Sequence, residues 1–145
     1  MKDALKVSKI EKGTVIDHLL PGSALKIVKM LGLESSNPFI VAMNVDSSKN
    51  RRKDMIKIED RSLSKEETDK ISLIAPNATI NIIKGQKVSD KRRVSPPKEL
   101  TGIVRCPNNV CVTNREACET RFIRNDEKYK CYFCERTYEV KDFGL

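Results

Sequence analysis

Hydrophobic and polar positions change period in a regular order along the first ninety-odd residues. Leu5 to Ile10 and then Thr14 to Asp17 alternate as a strand does, interrupted by a turn-like Lys12-Gly13. Beyond Pro21-Gly22 the apolar residues Ala24, Leu25, Val28 and Leu31 fall at helical spacing, and Gly32 supplies a stop. Phe39 to Val45 is a compact apolar run rich in β-branched side chains, Asp46 to Arg52 is polar and turn-like, and Asp54 to Glu59 alternates again. Ser64 followed three residues later by Glu67 has the form of a capping box, so a second helix starts there and runs towards Ala75-Pro76. Ala78 to Lys84 and Lys87 to Ser89 read as one last extended segment, broken at Gly85. Strand, helix, strand, strand, helix, strand is the order of an α+β, ferredoxin-like βαββαβ domain, in which two helices cover one face of an antiparallel four-stranded sheet.

Ser95-Pro96-Pro97-Lys98 ends that pattern, because two prolines fix φ and remove two backbone donors. The expected division is a first domain over residues 1–95, a linker over 96–100 and a small all-β module over 101–145. In the module Cys106 and Cys111, then Cys131 and Cys134, form two close pairs separated by nineteen residues. Paired thiolates on tight turns are what a tetrahedral Zn²⁺ takes, and four of them leave no open position for water or substrate. The reading is a zinc-ribbon-like module with one structural Zn²⁺ per chain. Two disulfides or four buried thiols are the alternatives. About forty-five residues cannot build a self-sufficient core, which makes a staple necessary. Cys118, the fifth cysteine, has no close partner and is expected to pack as a small apolar residue.

Composition narrows the function. The formal net charge is +8, from 28 Lys and Arg against 20 Asp and Glu, so an anionic partner is expected. No apolar run approaches a signal core or a membrane span, and the expected location is the cytoplasm, where thiolates outlast disulfides. His18 is the one histidine, and there is no Gly-x-Ser-x-Gly, no Walker loop and no carboxylate pair in an apolar setting. An enzyme is not expected. Asp17 and His18 close one strand, while Lys53, Lys57 and Lys91 lie near the ends or edges of others. If the fold brings them together, cations for phosphates and a carboxylate for a ribose hydroxyl or an exocyclic amine make a nucleotide site.

Several segments, in order and spanning nearly the whole chain, carry a family resemblance. Gly13-Thr14-Val15-Ile16-Asp17-His18, Arg52-Lys53-Asp54-Met55-Ile56-Lys57-Ile58-Glu59, Ala75-Pro76-Asn77-Ala78-Thr79-Ile80-Asn81 and Cys106-Pro107-Asn108 resemble the regulatory chain of aspartate carbamoyltransferase. The resemblance implies a non-catalytic subunit, homodimeric, that controls pyrimidine synthesis by binding CTP and ATP, with UTP as a further candidate, and attaches to catalytic chains through its zinc module. It implies a pocket of Val7, Ile10, Val15, Asp17, His18, Lys57, Asn81, Ile83, Val88 and Lys91. There the apolar members flank the base, Asp17 and Lys57 hold ribose and base, and His18 and Lys91 meet phosphates; Lys53 lies near the triphosphate end. Gln86 and Val110 depart from the family pattern, which has an aromatic residue and an asparagine there.

The rival reading is a zinc-ribbon protein that binds nucleic acid, favoured by the basic balance. Aromatic residues at 5% of the chain leave few stacking platforms, which counts against it, so no nucleic acid and no membrane are expected as partners.

Overall fold

The computed structural model describes residues 10–47 and 51–145; Val7 and the start of the first expected strand lie outside them. The chain divides into two compact units, up to Ser95 and from Pro96 to Leu145. In the first, β1 (Lys12–Leu19), α1 (Ala24–Leu31), β2 (Phe39–Asp46), β3 (Arg52–Glu59), α2 (Lys65–Ile74), β4 (Thr79–Lys84) and β5 (Lys87–Arg93) follow one another. The strands form an antiparallel sheet in the order β2-β3-β1-β4-β5. The first four strands keep the expected split β-α-β order, and β5 is an addition at one edge. Gly85 and Gln86 both have positive φ, 59° and 65°, so the supposed break is a two-residue hairpin turn that folds Lys87–Arg93 back along β4.

One face of this sheet is a buried core. Ile16, Ile56, Ile58 and Ile80 pack with Ala24, Ile27, Val28 and Leu31 of α1 and Ile71 of α2. The apolar stripe of α1 therefore runs through Ile27, whereas Leu25 is 55% exposed; the expected phase of that helix was wrong by its second member. At α2 the capping box is complete, with Ser64 Oγ accepting from Glu67 N at 3.1 Å and Glu67 Oε1 accepting from Ser64 N at 3.0 Å.

Lys12-Gly13 is no turn. It lies inside β1, where Gly13 pairs with Glu59 on one side and Ile83 on the other. Its φ is +147°, and a Cβ would sit 2.0 Å from the Ile58 carbonyl oxygen, so backbones approach here more closely than a side chain allows.

The second unit is a sheet of order β6-β7-β8-β9, from β6 (Glu99–Thr101), β7 (Arg121–Asn125), β8 (Lys128–Cys131) and β9 (Thr137–Tyr138), with one turn of helix, α3 (Val112–Arg115). The expected linker over 96–100 is overtaken by structure. Leu100 is wholly buried in β6, and Tyr129 donates to the Pro97 carbonyl at 2.7 Å. The apolar core is small, centred on Leu100, Phe122 and Tyr129, with Phe143 set edge-on against Phe122 at 5.0 Å.

Candidate metal centre and binding face

The four paired cysteines converge. Their sulfurs all lie within 4.8 Å of one another, with Cys106 to Cys134 and Cys111 to Cys131 both at 3.8 Å. A tetrahedron with Zn–S bonds of about 2.3 Å has edges of about 3.8 Å, so the cage fits that ion, while a disulfide needs about 2.05 Å.

Turn chemistry holds the cage. Asn114 donates to the carbonyls of Cys106 and Asn108, both at 2.8 Å, and Cys111 N donates to Asn108 O at 3.0 Å, which shapes the first cysteine turn. Thr113 Oγ1 donates to Cys111 Sγ at 3.2 Å and Cys134 N to Cys131 Sγ at 3.5 Å, the polar support that thiolate ligands take.

Burial, with the Cys134 and Cys111 thiols adding to it, pushes Cys106 up to about 12 against the pull of the Asn108 backbone. At Cys134 burial is outweighed by the Arg136 backbone, the Asn108 side chain and the neighbouring thiols, and the group falls to about 7. Four sulfurs this close cannot all ionise in one another's field unless a cation sits among them. The centre is a closed structural site for one Zn²⁺, without an open position for catalysis. Cys118 stands outside the four-sulfur cage and is only half-buried, less enclosed than an apolar packing residue, with its Sγ 3.8 Å from the Glu119 carbonyl.

The sheet face away from the helices carries the other candidate residues. Lys57, Val15, Asn81 and Lys91 form one row across β3, β1, β4 and β5. Ile10, Val15 and Ile83 are each less than a tenth exposed and form a separate apolar cluster against Met55. Val88 pairs with Ile83 and is 57% exposed, leaving an apolar flank open to solvent.

The neighbouring row is charged. Asp17 pairs in register with Thr79, and Thr79 with Arg93. Lys53 Nζ reaches Asp17 Oδ1 at 2.9 Å and Oδ2 at 3.2 Å. A bulge between Ile16 and Leu19 makes this arrangement: His18 takes φ 57°, so it does not turn to the buried face, and its Nδ1 stands 3.0 Å from Thr79 Oγ1. Asp17 Oδ1 accepts from His18 N at 2.7 Å, which supports the strained residue.

Sequence reasoning thus named ten described residues that share this face. It missed Met55, Thr79 and Arg93, each at a position where strand alternation and register could have been extended to include it.

Two comparisons bear on identity. The model of the aspartate carbamoyltransferase regulatory chain, allosteric domain, matches residues 5–95, and that of the same chain's metal binding domain matches residues 98–143. Among curated relatives, the aspartate carbamoyltransferase regulatory chain of Thermofilum pendens is 51% identical over 144 residues, covering 94% of this chain and 91% of the relative. That of Methanopyrus kandleri is 49% identical over 140 residues, covering 92% and 90%. That of Thermococcus sibiricus is 48% identical over 138 residues, covering 93% and 92%. With an α+β unit bearing a polar, bulged face, a four-cysteine metal unit and these matches over both, the chain belongs to the family of aspartate carbamoyltransferase regulatory chains, the non-catalytic subunit of that enzyme.

Proposed function

We propose that the open face of the first unit binds a nucleoside triphosphate, CTP or ATP, with UTP as a further candidate, and that this binding sets the activity of aspartate carbamoyltransferase catalytic chains in pyrimidine biosynthesis. The observation that carries the reading is the adjacency of two chemistries on one face. The apolar cluster of Ile10, Val15 and Ile83, with Val88 beside it, offers a flat apolar flank to a base. In the rows across the sheet stand Lys57, Asn81 and Lys91, then Lys53, Asp17 and His18: cations and donors for phosphates, with the Asp17 carboxylate to accept from a ribose hydroxyl. Asp17 is the only carboxylate among these named residues, and Lys53 already neutralises it, so the surplus is positive. An effector acts on a partner only by binding two assembled states unequally; about 1–3 kcal/mol of difference changes affinity several-fold to a hundredfold.

The second unit is the attachment surface in this reading. Beside the cage Val110 is 67% exposed, and Tyr132 and Phe133, between the last two cysteines, are 54% and 39% exposed. Aromatic and apolar side chains on a metal-fixed turn make a rigid anchor for a catalytic chain.

Self-association is assigned to β2. Among the described residues no further strand pairs with either edge of the first sheet, yet every residue of β5 is exposed and Lys87, Asp90, Lys91, Arg92 and Arg93 charge it, which blunts pairing. β2 instead shows Ile40 and Met43 to solvent at 38% and 39%. Homodimers joined along β2 would show as a two-protomer mass in sedimentation at micromolar concentration, and a strict monomer contradicts this part of the reading. The work of such a protein belongs in the cytoplasm.

Titration calorimetry of Lys91→Ala tests the nucleotide reading. Lys91 makes at most a charge-assisted phosphate contact and is exposed, so CTP and ATP affinities are expected to fall about tenfold while zinc content stays at one per chain. Unchanged affinity contradicts the placement of the phosphates.

A further inference from the structure

Asp54 is a carboxylate with no place in the reading above and no exposure at all. It is the next residue after Lys53 on β3, so the two side chains leave opposite faces of the sheet. Lys53 holds Asp17 on the open face. On the helix face Asp54 Oδ2 accepts from Gly22 N at 2.9 Å and Ala24 N at 3.1 Å, the segment that starts α1, and Oδ1 accepts from Asn44 N at 2.7 Å. Three N–H donors are what let a carboxylate sit here without water, and the helix start adds its dipole.

The register on either side of β3 shows what those bonds secure. On β1 the pairing jumps from Ile16 with Ile56 to Leu19 with Asp54, three residues against two. On β2 it jumps from Ala42 with Met55 to Val45 with Lys53, again three against two. Both neighbours of β3 therefore carry an extra residue at the same level, with His18 at φ 57° in one bulge and Asn44 at φ 54° in the other. Asp54 grips the Asn44 amide inside the β2 bulge and the chain leaving the β1 bulge, while Lys53 grips the β1 bulge through Asp17.

We propose that Asp54 is a positioning residue that joins the cationic open face to the β2 edge. Occupation of that face by a polyphosphate competes with Asp17 for Lys53. Any shift of the β1 bulge or of Lys53 then reaches Asn44 through a buried, fully hydrogen-bonded carboxylate, and the β2 bulge is reset. The device needs no contact between ligand and β2. It rests on the nucleotide reading for its ligand, but its mechanical half does not.

Amide hydrogen exchange on the full-length zinc-loaded chain tests it, with CTP as the probe and calorimetry run alongside. In the natural protein saturating CTP is expected to change exchange at Met43 to Asp46 at least fivefold. In Asp54→Asn, CTP is expected to bind within about threefold of the natural affinity, and the β2 response to fall below twofold. A full β2 response in Asp54→Asn, or none in the natural protein once CTP is bound, overturns the proposal.

Absence of binding heat in the natural protein refutes the nucleotide reading instead, and Lys53→Met then decides the joint without any ligand. By releasing Asp17 it is expected to change β2 exchange at least threefold, and an unchanged β2 overturns the proposal. The same variant decides if Asp54→Asn does not fold.

Discussion

The two units of this chain solve the problem of stability by opposite means. The first buries isoleucines of three strands against two helices and leaves its other face free for polar work. The second has a core of a few side chains around Phe122, and its turns are shaped around four sulfurs. A metal cage lets fifty residues be rigid with much of their apolar and aromatic surface turned outward, as at Val110, Tyr132 and Phe133. A unit that must keep a core cannot present such a surface as freely; it has a sheet face to offer, where Lys53, Asp17 and His18 can be aligned by register. The proposed division of labour between attachment and binding would follow from this division of stabilising forces.

Removing the metal should break the comparison open most widely. Structural zinc in small modules contributes about 10–16 kcal/mol, as much as a whole domain's stability or more. Chelation, or Cys106→Ser, is expected to unfold residues 96–145 and leave the first unit's circular dichroism and thermal transition in place. A second unit that stays folded without metal would mean that its aromatic core suffices.

Ile16→Ala should do the reverse. Ile16 is fully buried at the centre of the first core, and the cavity costs about 2–5 kcal/mol. Denaturant titration should show the first transition shifted and zinc release unaffected.

A smaller effect sharpens the contrast in pH. Burial opposes ionisation of Glu67, but the Ser64 N–H and the Arg61 guanidinium at 2.6 Å outweigh it and hold the carboxyl below its ordinary value of 4.5. A depressed folded value stabilises the native state above the unfolded one, so this contribution is present above about pH 4.5 and disappears as pH falls through the lowered value. Glu67→Gln is therefore expected to cost about 1 kcal/mol or less at pH 7 and less still near pH 2, read from the first unit's unfolding midpoint. An equal loss at both pH values would assign the effect to packing alone.

How far sequence could foresee these features depends on how local their causes are. The capping box at Ser64 and Glu67 and the cysteine pairs were legible because each is a bond set closed within a few residues or fixed by ligand chemistry. The strand order was legible because the periods of 2 and 3.6 alternate cleanly.

What was not legible depends on neighbours in space. Gly13 looks like a turn residue until β3 is placed 2.0 Å from where its Cβ would be. The gathering of His18 with Asp17 on one face requires a bulge, and bulges are set by pairing with β3 rather than by the residues bulged. Asp54 reads as one more surface charge in an alternating strand; only the approach of Gly22, Ala24 and Asn44 makes it a buried acceptor. Leu25 and Ile27 are equally apolar, and α1's phase against Ile16 and Ile56 decides which is buried.

The central claim is that effector binding belongs wholly to the first unit and attachment wholly to the second. Calorimetric titration of CTP into zinc-loaded and zinc-stripped protein tests it most directly. The account predicts affinities within about threefold of each other, although the stripped protein has lost its second unit's fold. Loss of CTP binding on removal of the metal would contradict it.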